Sequence, residues 1–248
     1  MESDALQGKV ILVTGAARSI GRAMSDYFEN TGAQVVRTDI DDTASDVQRL
    51  DVTNEDDWNR VVASTVKEHR KLDGLVNNAA ILFGQGPFWE ETKEQFAELL
   101  NVNVMGTWLG LQVTTRVMAT TGGGSIVNFS STSGMMAASP FTGYGTSRWA
   151  VRGLTKHVAM GLAEYHVRVN SVHPHGITGS TMVEMFSPKN DAEAAKAREE
   201  QARANPLGRS GTNDDVAAMV TFLLSDDSSW ITGREFVLDG GATLATAQ

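Results

Sequence analysis

The chain has 248 residues, 41% of them hydrophobic, which is enough to bury the core of one ordinary α/β domain. Its formal net charge is −9, and neither the 21 Lys and Arg nor the 30 Asp and Glu form a long block of one sign, which argues against nucleic acid and anionic membranes as partners. There is no cysteine, so disulfides, thiolate catalysis and cysteine metal sites are excluded. No apolar run approaches the ~18 residues that span a bilayer, and Met1-Glu-Ser-Asp4 is an acidic opening unlike a signal peptide, so the expectation is a cytoplasmic protein.

Short apolar runs alternate with helix-length segments, the pattern of a parallel sheet covered on both faces. The runs predict strands at Lys9–Val13, Gln34–Thr38, Val47–Asp51, Gly74–Asn77, Ser125–Phe129, Arg168–Val172 and Glu235–Leu238. The first passes into Thr14-Gly-Ala-Ala-Arg-Ser-Ile-Gly21, a turn of small residues with a helix starting near Gly21. Such a turn lets the backbone approach a pyrophosphate, to which the helix presents free N–H groups; a tight turn with no ligand has the same look. Gly32 marks the stop of that helix.

Asp39 closes the second strand, where a carboxylate accepts hydrogen bonds from ribose hydroxyls and repels a 2′-phosphate, favouring NAD over NADP. Arg18 and Arg37 point the other way, since either can pair with a 2′-phosphate. Thr53 with Asp56 predicts a capped helix carrying Trp58, Val61, Val62 and Val66, and Thr92 with Gln95 repeats the signature before Phe96, Leu99 and Leu100. After the sixth strand, Thr181–Asn205 is rich in Ala, Glu, Lys and Arg, and reads either as a lid at the sheet's carboxyl edge or as a solvated surface helix. No repeat or linker divides the chain, so one domain over 1–248 is expected.

Several stretches taken together resemble the short-chain dehydrogenase/reductase family from about Leu6 to Gly241: Thr14–Gly21, Asn77-Asn-Ala-Ala80, Asn101-Val-Asn103, Ser125-Ile-Val-Asn-Phe-Ser-Ser131, Tyr144-Gly-Thr-Ser-Arg148, Arg168-Val-Asn-Ser-Val-His-Pro174 and Asp239-Gly-Gly241. Their order and spacing are far more specific than any one of them. The likeness is greatest to members acting on steroid and cyclic alcohols. It implies a Rossmann-type fold, a doubly wound parallel sheet of about seven strands with helices on both faces. It also implies a nicotinamide cofactor, hydride transfer between a secondary alcohol and a ketone, and a homotetramer or homodimer. By the same resemblance the catalytic set is Asn103, Ser131, Tyr144 and Arg148. The cofactor contacts are Gly15, Arg18, Ser19, Ile20, Gly21, Asp39, Asp51, Val52, Asn78, Tyr144, Arg148, Pro174, Ile177 and Ser180.

Physical chemistry supports this set separately. Tyr144 and residue 148 are four apart and share a helix face. A phenol is a poor base at neutral pH, and a neighbouring cation stabilises its phenolate. Ser131 can hydrogen-bond a substrate oxygen while Tyr144 moves the proton. Each also has an ordinary reading: Ser131 as a turn cap, Tyr144 as an interface aromatic, Asn103 as a partner for backbone groups.

Three positions depart from the family pattern. Arg148 stands where it has lysine, keeping the charge but unable to relay a proton. That substitution opens a second reading, a nucleotide-binding protein with attenuated catalysis and a sensing or assembly role. His175 stands at a glycine position, unless the register shifts and Gly176 takes it; either a group titrating near the reaction or a packed histidine fits. His173 and His175 would share a strand face, but without a carboxylate pattern they make no metal site. Ser19 replaces the middle glycine. Leu82, Phe83, Phe88, Trp89, Met135, Met136 and Phe141 suit an apolar or cyclic substrate, or simply loop packing.

Overall fold

In the computed structural model, which describes residues 4–83, 86–137 and 140–244, seven parallel strands form one sheet in the order β3-β2-β1-β4-β5-β6-β7. The strands are β1 (Val10–Thr14), β2 (Gln34–Asp39), β3 (Gln48–Arg49), β4 (Gly74–Asn77), β5 (Gly124–Phe129), β6 (Val167–Pro174) and β7 (Glu235–Leu238). The α-helices are α1 (Ser19–Asn30), α2 (Glu55–His69), α3 (Lys93–Leu100), α4 (Gly106–Met118), α5 (Thr142–Leu162), α6 (Thr181–Phe186), α7 (Asp191–Ala204) and α8 (Asn213–Leu224). None of them is long and apolar enough to cross a membrane.

Alternation along β1 explains the two layers. Ile11 and Val13 pack with Met24 and Phe28 of α1 and Val216 and Val220 of α8, while Val10 and Leu12 pack with Trp58, Val61, Leu109 and Ala159 on the other face. With both faces covered, the doubly wound α/β domain is as expected. Strand order reverses between β1 and β4, which opens a crevice at the carboxyl edge.

Local departures have local causes. The third strand is short, with Gln48 and Arg49 in register with Thr38 and Asp39 and Leu50 N donating to Asp39 O at 2.8 Å, while Val47 and Leu50 on either side are buried. The cap of α2 is Asn54, whose Oδ1 accepts from Asp56 N and Asp57 N; Thr53 instead donates its hydroxyl to Asp51 at 2.7 Å. The box at Thr92 and Gln95 forms as expected, and Gly32 takes φ +89° just after the Thr31 cap. Helix α1 begins at Ser19, two residues before Gly21. The segment at 181–205 folds as two helices, α6 and α7.

Candidate active site

The carboxyl edge of the sheet opens on a cavity of about 1270 Å³. That exceeds the roughly 300–1,000 Å³ of a typical ligand pocket and leaves room for two molecules side by side. Its floor begins after β1. Thr14 Oγ1 donates to Val76 O and accepts from Asn78 N and Ala79 N, and Asn78 Nδ2 donates to Thr14 O and Gly15 O, so the ends of β1 and β4 are joined at the switch point. A Cβ on Gly21 would lie 2.0 Å from Gly15 O, so the chain's own crossing demands a glycine there. Ser19 sits at φ +55°, a left-handed conformation costing a non-glycine residue roughly 1–2 kcal/mol. Its Oγ donates to Gly179 O at 3.3 Å and accepts from Thr181 N at 3.0 Å, which ties the turn to the start of α6. Helix α1 has no side-chain cap and no acid in its first turn, so its leading N–H groups suit an anion.

Asp39, at the end of β2, is buried, with Oδ2 accepting from Ala17 N at 3.0 Å and Oδ1 from Asp41 N at 3.1 Å. It is therefore a fixed wall of the cavity and not a solvated loop acid. Arg37 is spent elsewhere: its guanidinium donates to Asp26 and twice to Glu29, and it does not line the cavity. Those bonds from Glu29 and Asp26 raise its already high basicity. Arg18 does line the cavity, exposed and 3.5 Å from Asp41. Asp51 shapes the neighbouring turn by accepting from Thr53 N and Oγ1.

Ser131 follows β5 in extended conformation, and its Oγ accepts from Ser133 N at 3.1 Å, which leaves the hydroxyl hydrogen to point elsewhere. Tyr144 and Arg148 lie on the inner face of α5. The Arg148 guanidinium carbon sits 4.7 Å from the centroid of the Tyr144 ring, and Nη1 donates to Phe129 O at 3.0 Å. Arg148 Nε is buried and has no partner among the described residues.

Asn103 is fully buried in a π-helical turn between α3 and α4. Its Oδ1 accepts from Ile81 N and its Nδ2 donates to Ile81 O and Ser147 Oγ, so the side chain holds the wall after β4 against α5 without lining the cavity.

The two histidines part company. His173 is fully buried on β6, and burial pushes its imidazole below the usual histidine range. His175 lies beyond the end of β6, lines the cavity and shares a 3.0 Å hydrogen bond between Nδ1 and Thr132 Oγ1. Gly176 takes φ +58°, so the need for a glycine here falls on it.

The cavity is lined by Gly15, Arg18, Ser19, Ile20, Gly21, Asp39, Asp51, Val52, Asn78, Ser131, Tyr144, Arg148, Pro174, Ile177 and Ser180. Leu82, Phe83, Met136 and Phe141 join them; Phe88, Trp89 and Met135 do not. Sequence reasoning missed Ile81, Val183 and Met185, the last two being apolar residues inside α6, in a stretch whose charge count hides them.

A family model described as enoyl-(acyl carrier protein) reductase matches residues 15–243. A 3-alpha-(or 20-beta)-hydroxysteroid dehydrogenase of Mycobacterium tuberculosis is 35% identical over 256 residues, covering 99% of this chain and 93% of that one. An NADP-dependent (R)-specific alcohol dehydrogenase of Lentilactobacillus kefiri is 35% identical over 257 residues, covering 97% and 99%. The crystal structure of levodione reductase superposes with a TM-score of 0.90 at 29% identity, over 97% of this chain and all of that one. With the motifs in register along one cavity, these matches place the chain in the short-chain dehydrogenase/reductase family.

Proposed function

We propose that the protein transfers a hydride between NAD and a secondary alcohol or its ketone, with Ser131 and Tyr144 meeting the reacting oxygen. The carrying observation is that Ser131, Tyr144 and Arg148 line the same cavity as the nucleotide turn. The residues fit a nicotinamide dinucleotide. The uncapped start of α1 takes the pyrophosphate, Asp39 takes the adenosine ribose, and Arg148, with its unpartnered Nε, lies where the second ribose is expected. Bound there, the nicotinamide supplies the two-electron acceptor or donor.

The chain's own residues handle the proton. In the oxidative direction Tyr144 accepts the alcohol's hydroxyl proton as the carbinol hydrogen departs, and Ser131 donates its hydroxyl hydrogen to the oxygen that becomes the ketone. Arg148, stacked on the phenol and permanently charged, stabilises the phenolate. Asn103 is a positioning residue, holding Ile81 against α5. Helices α6 and α7 form a lid, since Thr181, Val183, Met185, Ser187, Pro188 and Ala197 face the cavity. The apolar lining suits a cyclic or apolar substrate, consistent with relatives named for hydroxysteroids and levodione. A cytoplasmic homo-oligomer completes the reading, and the cysteine-free composition is compatible with a reducing compartment.

The test is turnover of a panel of cyclic and open-chain secondary alcohols and ketones, followed by absorbance of the reduced cofactor. Activity with NAD should exceed that with NADP by at least about tenfold, which needs only about 1.4 kcal/mol of repulsion between Asp39 and a 2′-phosphate. A preference for NADP, or inertness with NAD binding confirmed, would overturn the reading.

A further inference from the structure

The main-chain ladder between β5 and β6 ends at Ser130, whose N–H donates to Val172 O at 2.9 Å. Ser131 has already left the sheet. Its hydroxyl is aimed by local backbone, because Oγ accepts from Ser133 N and the Ser131 carbonyl accepts from Gly134 N at 2.9 Å. One further bond reaches this carbonyl from outside the loop. His173 Nδ1 lies 3.2 Å from Ser131 O, and His173 Nε2 lies 2.9 Å from Ser171 Oγ on the same face of β6.

A carbonyl oxygen can only accept, so the ring hydrogen is on Nδ1 and Nε2 accepts from the Ser171 hydroxyl. The imidazole is fully buried and neutral, with both nitrogens engaged and one tautomer selected. A histidine that merely filled space would need no donor aimed at the residue after a strand end.

We propose that His173 is a positioning residue for Ser131, carrying the β5–β6 ladder one rung past its last main-chain bond and so fixing the direction of the serine hydroxyl. The inference rests on Ser131 acting as described under the proposed function. Without the rung, the turn keeps its internal bonds and the ties of Thr132 to His175 and of Gly134 O to Arg152, but Ser131 at its head loses its own hold on β6. Misplacement of a reacting group by about 1 Å can cost a hundredfold in rate.

Asparagine and glutamine separate the two ring nitrogens, since an Asn amide nitrogen falls near the place of Nδ1 and a Gln amide nitrogen near that of Nε2. In the intact protein with NAD and its best alcohol, His173→Gln and His173→Leu should lower kcat roughly 10- to 100-fold, with KM for the alcohol and cofactor Kd within about twofold. His173→Asn should recover kcat to within about threefold of wild type. Nitrogen NMR of the resting protein should show the Nδ1–H tautomer whatever the turnover. Folded His173→Gln at the wild-type rate, Asn no better than Gln, or an Nε2–H tautomer would each overturn the inference. If the leucine variant fails to fold, the Asn and Gln pair decides. Ser131→Ala inactive beside an unimpaired His173→Gln defeats the inference alone, whereas Ser131→Ala at full rate defeats the reading of Ser131 and the inference with it.

Discussion

Ser19 holds a backbone angle that glycine adopts freely, and the hydroxyl it gains in exchange reaches across 160 residues of sequence to Gly179 and Thr181. The magnitudes on the two sides are similar. Relief of left-handed strain returns roughly 1–2 kcal/mol, and two exposed hydrogen bonds are worth about 0.5–1.5 kcal/mol each. Ser19→Gly is therefore expected to leave global stability within about 2 kcal/mol while freeing the start of the proposed lid. Hydrogen exchange at Thr181–Phe186 should quicken several-fold while the amides of β1 keep their protection. Unchanged exchange at α6 would show that Ser19 does not hold the lid. The substitution itself was legible in the sequence as a blemish in the glycine turn. Its partners were not, because no local pattern connects position 19 to position 181. Arg37 shows the same limit from the other side: read alone it could meet a 2′-phosphate, yet Asp26 and Glu29, one helical turn apart on α1, had already taken it.

Elements whose bonds are local were read best. The capping box before α3, the glycine stop after α1 and the burial of β1 on both faces each depend on residues a few positions apart, and each appears as expected. The cap of α2 shifted by one residue because Thr53 and Asn54 are both good caps and Asp51 competes for the threonine. The support of the 131–134 turn could not be read at all, since its partners are remote in sequence: His173 and His175 at the end of β6, and Arg152 of α5, itself held by Glu235 of β7. Arg152 of α5 donates to Gly134 O at 2.6 Å and pairs with Glu235 through two bonds of 2.9 and 3.0 Å. The hydrogen bonds from Arg152 hold the Glu235 carboxyl down to about 2, with burial opposing and Lys156 adding to the effect. A carboxyl depressed in the folded state stabilises above its unfolded value near ~4.3, and that contribution is lost as pH falls toward the folded value. Glu235→Gln should therefore be less stable than wild type at pH ~7 by about 1–2 kcal/mol after allowance for solvent screening, with the gap closing between pH ~4 and ~2. Denaturant melts across that range measure it, and a gap independent of pH would refute the assignment.

At the scale of the whole molecule, the order of motifs revealed the fold and the cavity, whereas the proposed assembly rests on a surface the motifs do not touch. Helices α4 and α5 bury one face on the sheet and leave large apolar side chains on the other: Met105 in the turn leading into α4, Trp108 on α4, and Trp149 and Met160 on α5, exposed by 40 to 83%. On α5 this outer face backs directly onto the inner face that carries Tyr144 and Arg148. The homo-oligomer proposed above would cover these two helices, since an isologous contact pairs each patch with itself. Full burial of a large apolar side chain is worth about 1.5–3 kcal/mol, so four on each protomer are of the order needed to meet an association cost of about 4–15 kcal/mol. An unpaired charge buried there would reverse the sign. Wild type is thus expected to sediment as a dimer or larger at micromolar concentration, and Trp108→Glu with Met160→Glu to sediment as a smaller species with its circular dichroism intact. Trp149 is left in place in this test because it carries the Arg152 guanidinium, 4.4 Å from its ring, and Arg152 supports the 131–134 turn. A double variant that assembles unchanged would move the interface off these helices, and a monomeric wild type would refute the assembly, with Tyr144 then owing its setting to the one chain alone.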